Sequence, residues 1–425
     1  RFSPKGRASL MREWLRHLAE KGVDPRHETE KLRRRGTPLR LMRRLWNNIN
    51  PANRDDFSHE VRTAMDTCLA CKACAGQCPV KVSVPAFRPK FLELYHARYL
   101  RPLKDPLVGA IESILPLMAR MRPLYNLAAS SSAGRAAMRL AGLTALPVLP
   151  PLSPRHALAR QRVRIARPEA IARLDPAERA KTVIFVPDAF TEHFDPDVLL
   201  DTLEVARLLG FTAFVTPPLR NGKALHVHGY LHAFERTARR TAAALDRLAE
   251  TGVPLVGIDP SMTLTFRSEY SSTGMRARVL LPQEWLADAL ERHPSPVGER
   301  QKHYMLMAHC TERTNAPAAT GQWQAIFAQL GVKLTAGETG CCGMAGTFGH
   351  EVRNRALSEK LYAMSWQPAL AATGPADVVM ATGYSCRSQA KLMDGRRLPH
   401  PIQIIRAILQ ENASLPLESS ATYDI

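Results

Sequence analysis

The chain has 425 residues, 45% of them hydrophobic and 23% charged, with a formal net charge of +19. This is the composition of globular domains with proper cores, two or three of them at this length, and no run of 18 or more apolar residues offers a membrane span. All eight cysteines fall in two groups instead of being scattered as a disulfide framework would be, which points to the cytoplasm.

Residues 1–48 are expected to form basic helices broken around Gly22 to Pro25 and Gly36 to Pro38. They open at Arg1, with no methionine before Met11, like the interior of a longer polypeptide. About half of the positive surplus sits here, with 14 Lys or Arg against 5 acidic residues in the first fifty. Such charge suits nucleic acid, an anionic lipid surface or an acidic partner domain. Only 6% of the chain is aromatic, and the basic stretch lacks the interleaved stacking platform of single-strand binders, which argues against nucleic acid.

Residues 49–100 form a second unit, a cysteine loop between helical flanks, with Phe91, Leu94, Tyr95 and Arg98 at helical spacing behind it. Cys68, Cys71, Cys74 and Cys78, followed by Pro79, spell C-x2-C-x2-C-x3-C-P, the spacing of a [4Fe–4S] cluster. Two-residue gaps let a tight loop turn three thiolates toward one centre, and Ala70, Ala73, Ala75 and Gly76 leave room for an inorganic core. A zinc ribbon would bring two cysteine pairs together across a long gap, and cysteines this crowded cannot all meet disulfide geometry. Either Cys78 closes the same cluster or a distant thiolate does; Cys78 is favoured, because the other four cysteines form a separate group.

Residues 101–178 read as a helical segment, with Leu107, Ile111, Leu115 and Met118 at helical intervals, and then a proline-rich linker around "LTALPVLPPLSPRHA". The helical segment is expected to pack against the cysteine module or to rest on a membrane surface. Beyond it strands alternate with helices, and an internal repeat divides the remainder into lobes at 179–290 and 291–415, with a tail at 416–425. In the first lobe Gly210 leads by 11 and 12 residues to Asn221 and Gly222; in the second, Gly331 leads by 10 and 11 to Cys341 and Cys342. Strand and helix units of this kind build short parallel sheets covered by helices, with the site where loops leave the strand ends. That rule gathers Cys310, Cys341, Cys342 and Cys386. They could hold a second iron–sulfur centre or a zinc ion, act as a thiol redox pair, or be buried inert thiols. His309 and His350 lie beside them as candidate ligands or hydrogen-bond donors. The first lobe has no cysteine at an equivalent position.

"CCGMAGTFGHE", with "HCTER" upstream and "GYSCRSQ" downstream, resembles the cysteine-rich CCG domain found in the heterodisulfide reductases and in the iron–sulfur subunits of glycolate and lactate oxidases. Gln389 stands where the former have the last cysteine of a C-x-x-C, a departure shared with the glycolate-oxidase branch. Together with "RFSPKGRASLMREWL" and "CLACKACAGQCPV", the whole chain resembles the C-terminal iron–sulfur half of large bacterial FAD-linked oxidases, a group that includes D-2-hydroxyglutarate dehydrogenases. The resemblance implies an α-helical [4Fe–4S] ferredoxin-like module followed by a duplicated α/β CCG-type domain with two similar lobes. It also implies FAD held in a flavin domain that precedes them, fused or associated.

The chain shows no Gly-rich dinucleotide loop, no phosphate loop and no paired carboxylates in a motif, so its equipment is that of an electron carrier. A flavin would take a hydride from a 2-hydroxyacid, and the centre at Cys68 to Cys78 would pass electrons to a quinone or electron carrier, with peripheral contact at the inner membrane. Arg62, Lys72, Lys81 and Arg88 are expected near the cluster, where positive charge raises its potential. A heterodisulfide-reductase-like or glycolate or lactate oxidase iron–sulfur subunit, and a basic nucleic-acid-binding protein with a structural cluster, are the rival expectations.

Overall fold

The computed structural model describes residues 2–34, 37–79, 82–144, 147–151, 158, 163–292 and 302–414; Lys81 and the expected tail at 416–425 lie outside them. It is mostly helical, with two small parallel sheets.

The first helix, α1 (Pro4–Glu20), begins where the Ser3 hydroxyl accepts the Gly6 N–H at 3.0 Å and Pro4 fills the first turn. It is followed by α2 (Pro25–Arg34), α3 (Thr37–Ile49) and α4 (Ser58–Asp66), and then by the short α5 (Ala73–Gln77) and α6 (Val84–Arg98). Met11, Trp14 and Leu18 recur on one face of α1 and bury against Val61 and Met65 of α4 and Phe91 of α6. The Trp14 ring meets Phe91 edge-on at 5.0 Å, and its N–H donates to Ser58 Oγ at 3.0 Å. Burying the indole this way stabilises the bundle, and Trp14→Ala would cost about 3–5 kcal/mol.

Four short helices follow: α7 (Lys104–Gly109), α8 (Ile111–Arg120), α9 (Arg122–Ser130) and α10 (Ser132–Leu140). Asp105 on α7 touches the cysteine-bearing bundle, 3.7 Å from His96 of α6. Most of the packing is elsewhere: α8 lies on the helix Ala189–Phe194, and α7 on the helix Lys223–Val227, both in the α/β part.

The first sheet contains β1 (Arg164–Ile165), β2 (Thr182–Val186), β3 (Thr212–Val215), β4 (Leu255–Gly257) and β5 (Val279–Leu280), all parallel in the order β1-β3-β2-β4-β5. Every residue of β2 is buried, as a central parallel strand with helices on both faces requires. The second sheet has β6 (Tyr304–Met307), β7 (Leu334–Ala336) and β8 (Val378–Ala381) in the order β7-β6-β8. The triplets β3-β2-β4 and β7-β6-β8 thus share one strand order. The first sheet also reaches back to Arg164, inside the stretch read above as linker; a two-residue edge strand is too short to leave a periodic signal.

One core joins the sheets. The helix Pro196–Leu208 packs on Pro401–Ser414, and Pro282–Arg292 packs on Ala319–Gln329. Leu199, Trp285, Trp323, Phe327 and Ile405 belong to the same buried cluster. The pairing is reciprocal, each sheet lending two helices to a shared central layer, and it leaves the C-terminal ends of both sets of strands facing each other.

Candidate functional site

Cys68 follows the last turn of α4, its N–H bonded to the Met65 carbonyl at 3.1 Å. The loop then turns through two left-handed non-glycine residues, Ala70 (φ 54°) and Lys72 (φ 62°), on either side of Cys71. Such backbone costs about 1 kcal/mol or more per residue. The Cys71 sulfur accepts the Ala73 N–H. Cys68 and Cys74 pack against the Phe91 cluster, and Cys78 ends α5 with its N–H on the Cys74 carbonyl at 3.1 Å. Burial, then the neighbouring sulfurs of Cys310, Cys68 and Cys74, push the Cys71 thiol up to about 11. A thiol in that setting ionises when a metal supplies the compensating charge.

The second group comes from strand ends of the second sheet. His309 caps the helix Cys310–Asn315 after β6, accepting the Thr311 N–H on Nδ1 at 3.2 Å. That bond leaves the ring proton on Nε2, 3.3 Å from Ser385 Oγ. Cys341 and Cys342 lie in the loop after β7, and Cys386 in the first turn of the helix Tyr384–Asp394 after β8. Their thiols form a chain of contacts, Cys310 to Cys341 to Cys342 to Cys386. Contact with Cys341 and burial push the Cys310 thiol well up. The Gly343 N–H donates to Cys341 Sγ at 3.4 Å. Gly343 has φ 91°, and a Cβ there would fall 2.4 Å from the Ser358 carbonyl oxygen, so the loop admits no side chain at that point.

Gln389, one turn beyond Cys386, is fully buried. Its amide donates to Ser358 Oγ at 3.0 Å, and Ser358 Oγ donates to the Gly343 carbonyl at 2.9 Å. The residue that departs from C-x-x-C therefore braces the double-cysteine loop through hydrogen bonds.

The two cysteine groups, more than 200 residues apart in sequence, meet. Thr314 Oγ1 donates to the Cys71 carbonyl at 3.3 Å. Cys68, Cys71, Cys310, Cys341 and Cys342 line a single cavity of about 270 Å³. Cys74, Cys78 and Cys386 are not part of its wall. Among the described residues no group of three or more His, Cys, Asp or Glu is arranged to hold a single metal ion. The N–H groups aimed at Cys71 and Cys341 and the eight thiols in two sets have the donor chemistry of iron–sulfur ligation.

Of the expected basic residues, Lys72 is paired with Glu269 at 2.8 Å and Arg62 with Asp66 at 2.7 Å. Arg88 differs. It is buried, donates to the backbone carbonyls of Met65 (3.0 Å) and Val227 (2.7 Å), and lines the cavity beside Cys68. His350 also lines the cavity, and its carbonyl accepts the Thr144 N–H at 2.7 Å.

Sequence reasoning missed the first lobe's contribution. Asp188 and Asp259 cap the helices after β2 and β4, the places held by His309 and Gly383 in the second lobe. Asp259 accepts the Tyr384 N–H across the interface at 2.9 Å. Burial and the facing Asp259 push the Asp188 carboxyl up to about 7. At Asn221–Gly222, the counterpart of Cys341–Cys342, the Glu112 carboxylate of α8 takes the Gly222 N–H at 3.0 and 3.1 Å. The first lobe thus fills its loop with a carboxylate where the second presents thiols. Asp before Pro after a strand, as in "GIDPSM", was the available signal for Asp259; nothing local in the sequence marks Glu112 as its loop's partner.

No protein-family profile matches the chain. It is 46% identical over 412 residues to the D-2-hydroxyglutarate dehydrogenase of Pseudomonas putida, covering 95% of this chain and 40% of that protein. It is 43% identical over 415 residues to the enzyme of that name from Escherichia coli (strain K12), covering 96% and 41%. Similarity of 22% over 249 residues extends to one component of the anaerobic glycerol-3-phosphate dehydrogenase of Escherichia coli (strain K12), covering 55% of this chain and 60% of that one. The chain spans about two fifths of the length of the first two relatives.

Proposed function

We propose that this chain is the iron–sulfur, electron-transferring part of a flavin-linked 2-hydroxyacid dehydrogenase, with D-2-hydroxyglutarate as the substrate. The observation that carries the reading is the meeting of the two cysteine groups at one cavity, in a chain whose relatives along nearly its whole length bear that enzyme's name. The flavin belongs to a domain fused to or associated with this chain, and the acceptor is a quinone or electron carrier.

Cys68, Cys71 and Cys74, with Cys78 as the fourth thiolate, would hold a [4Fe–4S] cluster, and Cys310, Cys341, Cys342 and Cys386 a second centre. Bound there, such clusters supply one-electron steps at potentials set by charge and hydrogen bonding. The chain's own residues do the tuning. Ala73 and Gly343 direct N–H groups at sulfur, Arg88 places a buried cation beside Cys68, and the apolar packing of Val61, Met65 and Phe91 backs Cys68 and Cys74. Similarity to a separate component of a second dehydrogenase supports the same class in a stand-alone arrangement.

Among the described residues no helix is long and apolar enough to cross a membrane. The proposal for location is peripheral contact with the inner membrane. It is supported by α3, where Leu39, Met42, Trp46 and Ile49 are exposed in the most basic part of the chain.

The test is Cys71→Ser in the flavin-containing protein. Flavin bleaching by D-2-hydroxyglutarate should persist at its original rate while turnover with the physiological acceptor drops at least a hundredfold. Undiminished turnover would refute the relay.

A further inference from the structure

The cavity wall is of two kinds. One part carries thiols of both cysteine groups. Another is apolar and helical: Leu107, Ile111, Leu115 and Met118, spaced by four, four and three residues, present one face of α7 and α8 to the cavity. Leu107 is 43% exposed, so the apolar part reaches the surface. Three rings complete the wall. Phe190, Phe194 and Tyr384 lie nearly parallel, with centroids 6.1 to 6.4 Å apart and planes within 23°. Lys223 and Ser385 add hydrogen-bond donors to the same wall, the Lys223 ammonium being held by Ser261 at 2.6 and 2.7 Å.

We propose that this cavity binds the electron acceptor itself, and that the acceptor is a lipophilic quinone. The inference deepens the function above and rests on it. A cavity of about 270 Å³ lies just under the usual small-molecule range of roughly 300–1,000 Å³ and admits a flat ring but no protein carrier. A flat ring matches the aromatic triad, its two carbonyl oxygens need donors such as Lys223 and Ser385, and an alkyl tail matches the apolar face that opens at Leu107. Small, planar, apolar and doubly hydrogen-bond-accepting describes a quinone. The overall step balances without another reactant. The hydroxyacid loses two electrons and two protons as its C–OH becomes C=O, and the quinone gains both as its two C=O groups become C–OH. Thiols on the same wall put the proposed iron–sulfur centres in direct reach of the ring.

The test uses the full-length, iron-loaded protein and a photoreactive azidoquinone with a short alkyl tail, its attachment sites mapped by peptide mass spectrometry. Label should concentrate on residues 107–118, 190–194 and 384–388 and disappear under excess non-reactive quinone of the same tail. Ile111→Trp, which fills the apolar wall, should raise KM for the quinone at least tenfold with little change in kcat. Label scattered over the surface, or insensitive to competing quinone, would overturn the proposal, because the cavity would then be room for the clusters alone; this readout needs no variant to fold. Failure of the underlying function looks different: D-2-hydroxyglutarate would fail to bleach flavin and iron–sulfur absorbance. Bleaching together with misplaced label refutes the quinone site only.

Discussion

Arg88 is the side chain whose physical role is least interchangeable. Its guanidinium is buried, and its hydrogen bonds go to the carbonyls of Met65 and Val227. Lys72 and Arg62, which looked equivalent in the sequence, have carboxylates beside them that cancel most of their field at a distance. A buried positive charge stabilises the reduced, more negative form of a neighbouring cluster, and low-dielectric surroundings strengthen the effect. Arg88→Met should therefore lower the midpoint potential of the proposed centre at Cys68 to Cys78 on the order of 60 mV, the equivalent of about 1.4 kcal/mol for one electron. Arg88→Lys should recover most of it. A spectroscopic redox titration reads the shift, and an unchanged potential in Arg88→Met would remove the residue from the tuning role. Neighbouring residues show why such roles escape sequence reading: Glu112 and Gly222 are 110 positions apart, and only the fold brings the carboxylate onto the loop.

Among the elements, α6 carries the clearest pH response. His96 sits on it with Nδ1 donating to the Leu100 carbonyl at 3.1 Å, which leaves Nε2 to accept from Arg62. Burial first, then the Arg62 and Arg101 guanidinia, hold its protonation down to about 2. His226, on the helix Lys223–Val227 that packs on α6, is held to about 4, chiefly by burial. The unfolded chain protonates these rings near pH 6.5, whereas the folded chain does not until far lower. Above that pH they add no slope. Below it the unfolded state binds the extra protons, so stability falls by up to about 1.4 kcal/mol per pH unit for each ring. Asp188 and Glu312, each raised to about 7 chiefly by burial, have the opposite sign between their unfolded values near 4 and that point and offset two rings' share. His309, held to about 4 by burial, adds a third ring on the destabilising side. The thermal midpoint should therefore drop between pH 6.5 and 5, and His96→Gln should flatten the slope. A midpoint constant across that interval would contradict the assignment.

At the scale of the molecule, the sequence revealed the repeating units but not how they face each other. The apolar runs "TVIFV", "YMLM" and "VVMA" coincide with β2, β6 and β8. Strand runs and capping residues are local signals, so they survive without tertiary knowledge. The rule that sites follow strand ends gathers Cys310, Cys341, Cys342 and Cys386, whose thiols lie in one chain of contacts. The meeting of Cys71 with Cys310 was not legible. It depends on the reciprocal packing of Pro196–Leu208 on Pro401–Ser414 and of Pro282–Arg292 on Ala319–Gln329, which turns the two sets of strand ends toward each other and toward the cysteine loop. Likewise the apolar stripe of α8 gave the helix but not its use. It covers the helix Ala189–Phe194 and walls the cavity instead of lying mainly on the cysteine module.

That shared cavity makes the relay the central claim, and freeze-quenched electron paramagnetic resonance after anaerobic mixing of the full-length protein with D-2-hydroxyglutarate tests it most directly. The signal of a reduced iron–sulfur centre should appear as the flavin is reduced, and should be lost in Cys71→Ser with flavin reduction intact. Full flavin reduction in the wild-type protein with no such signal at any time would contradict it.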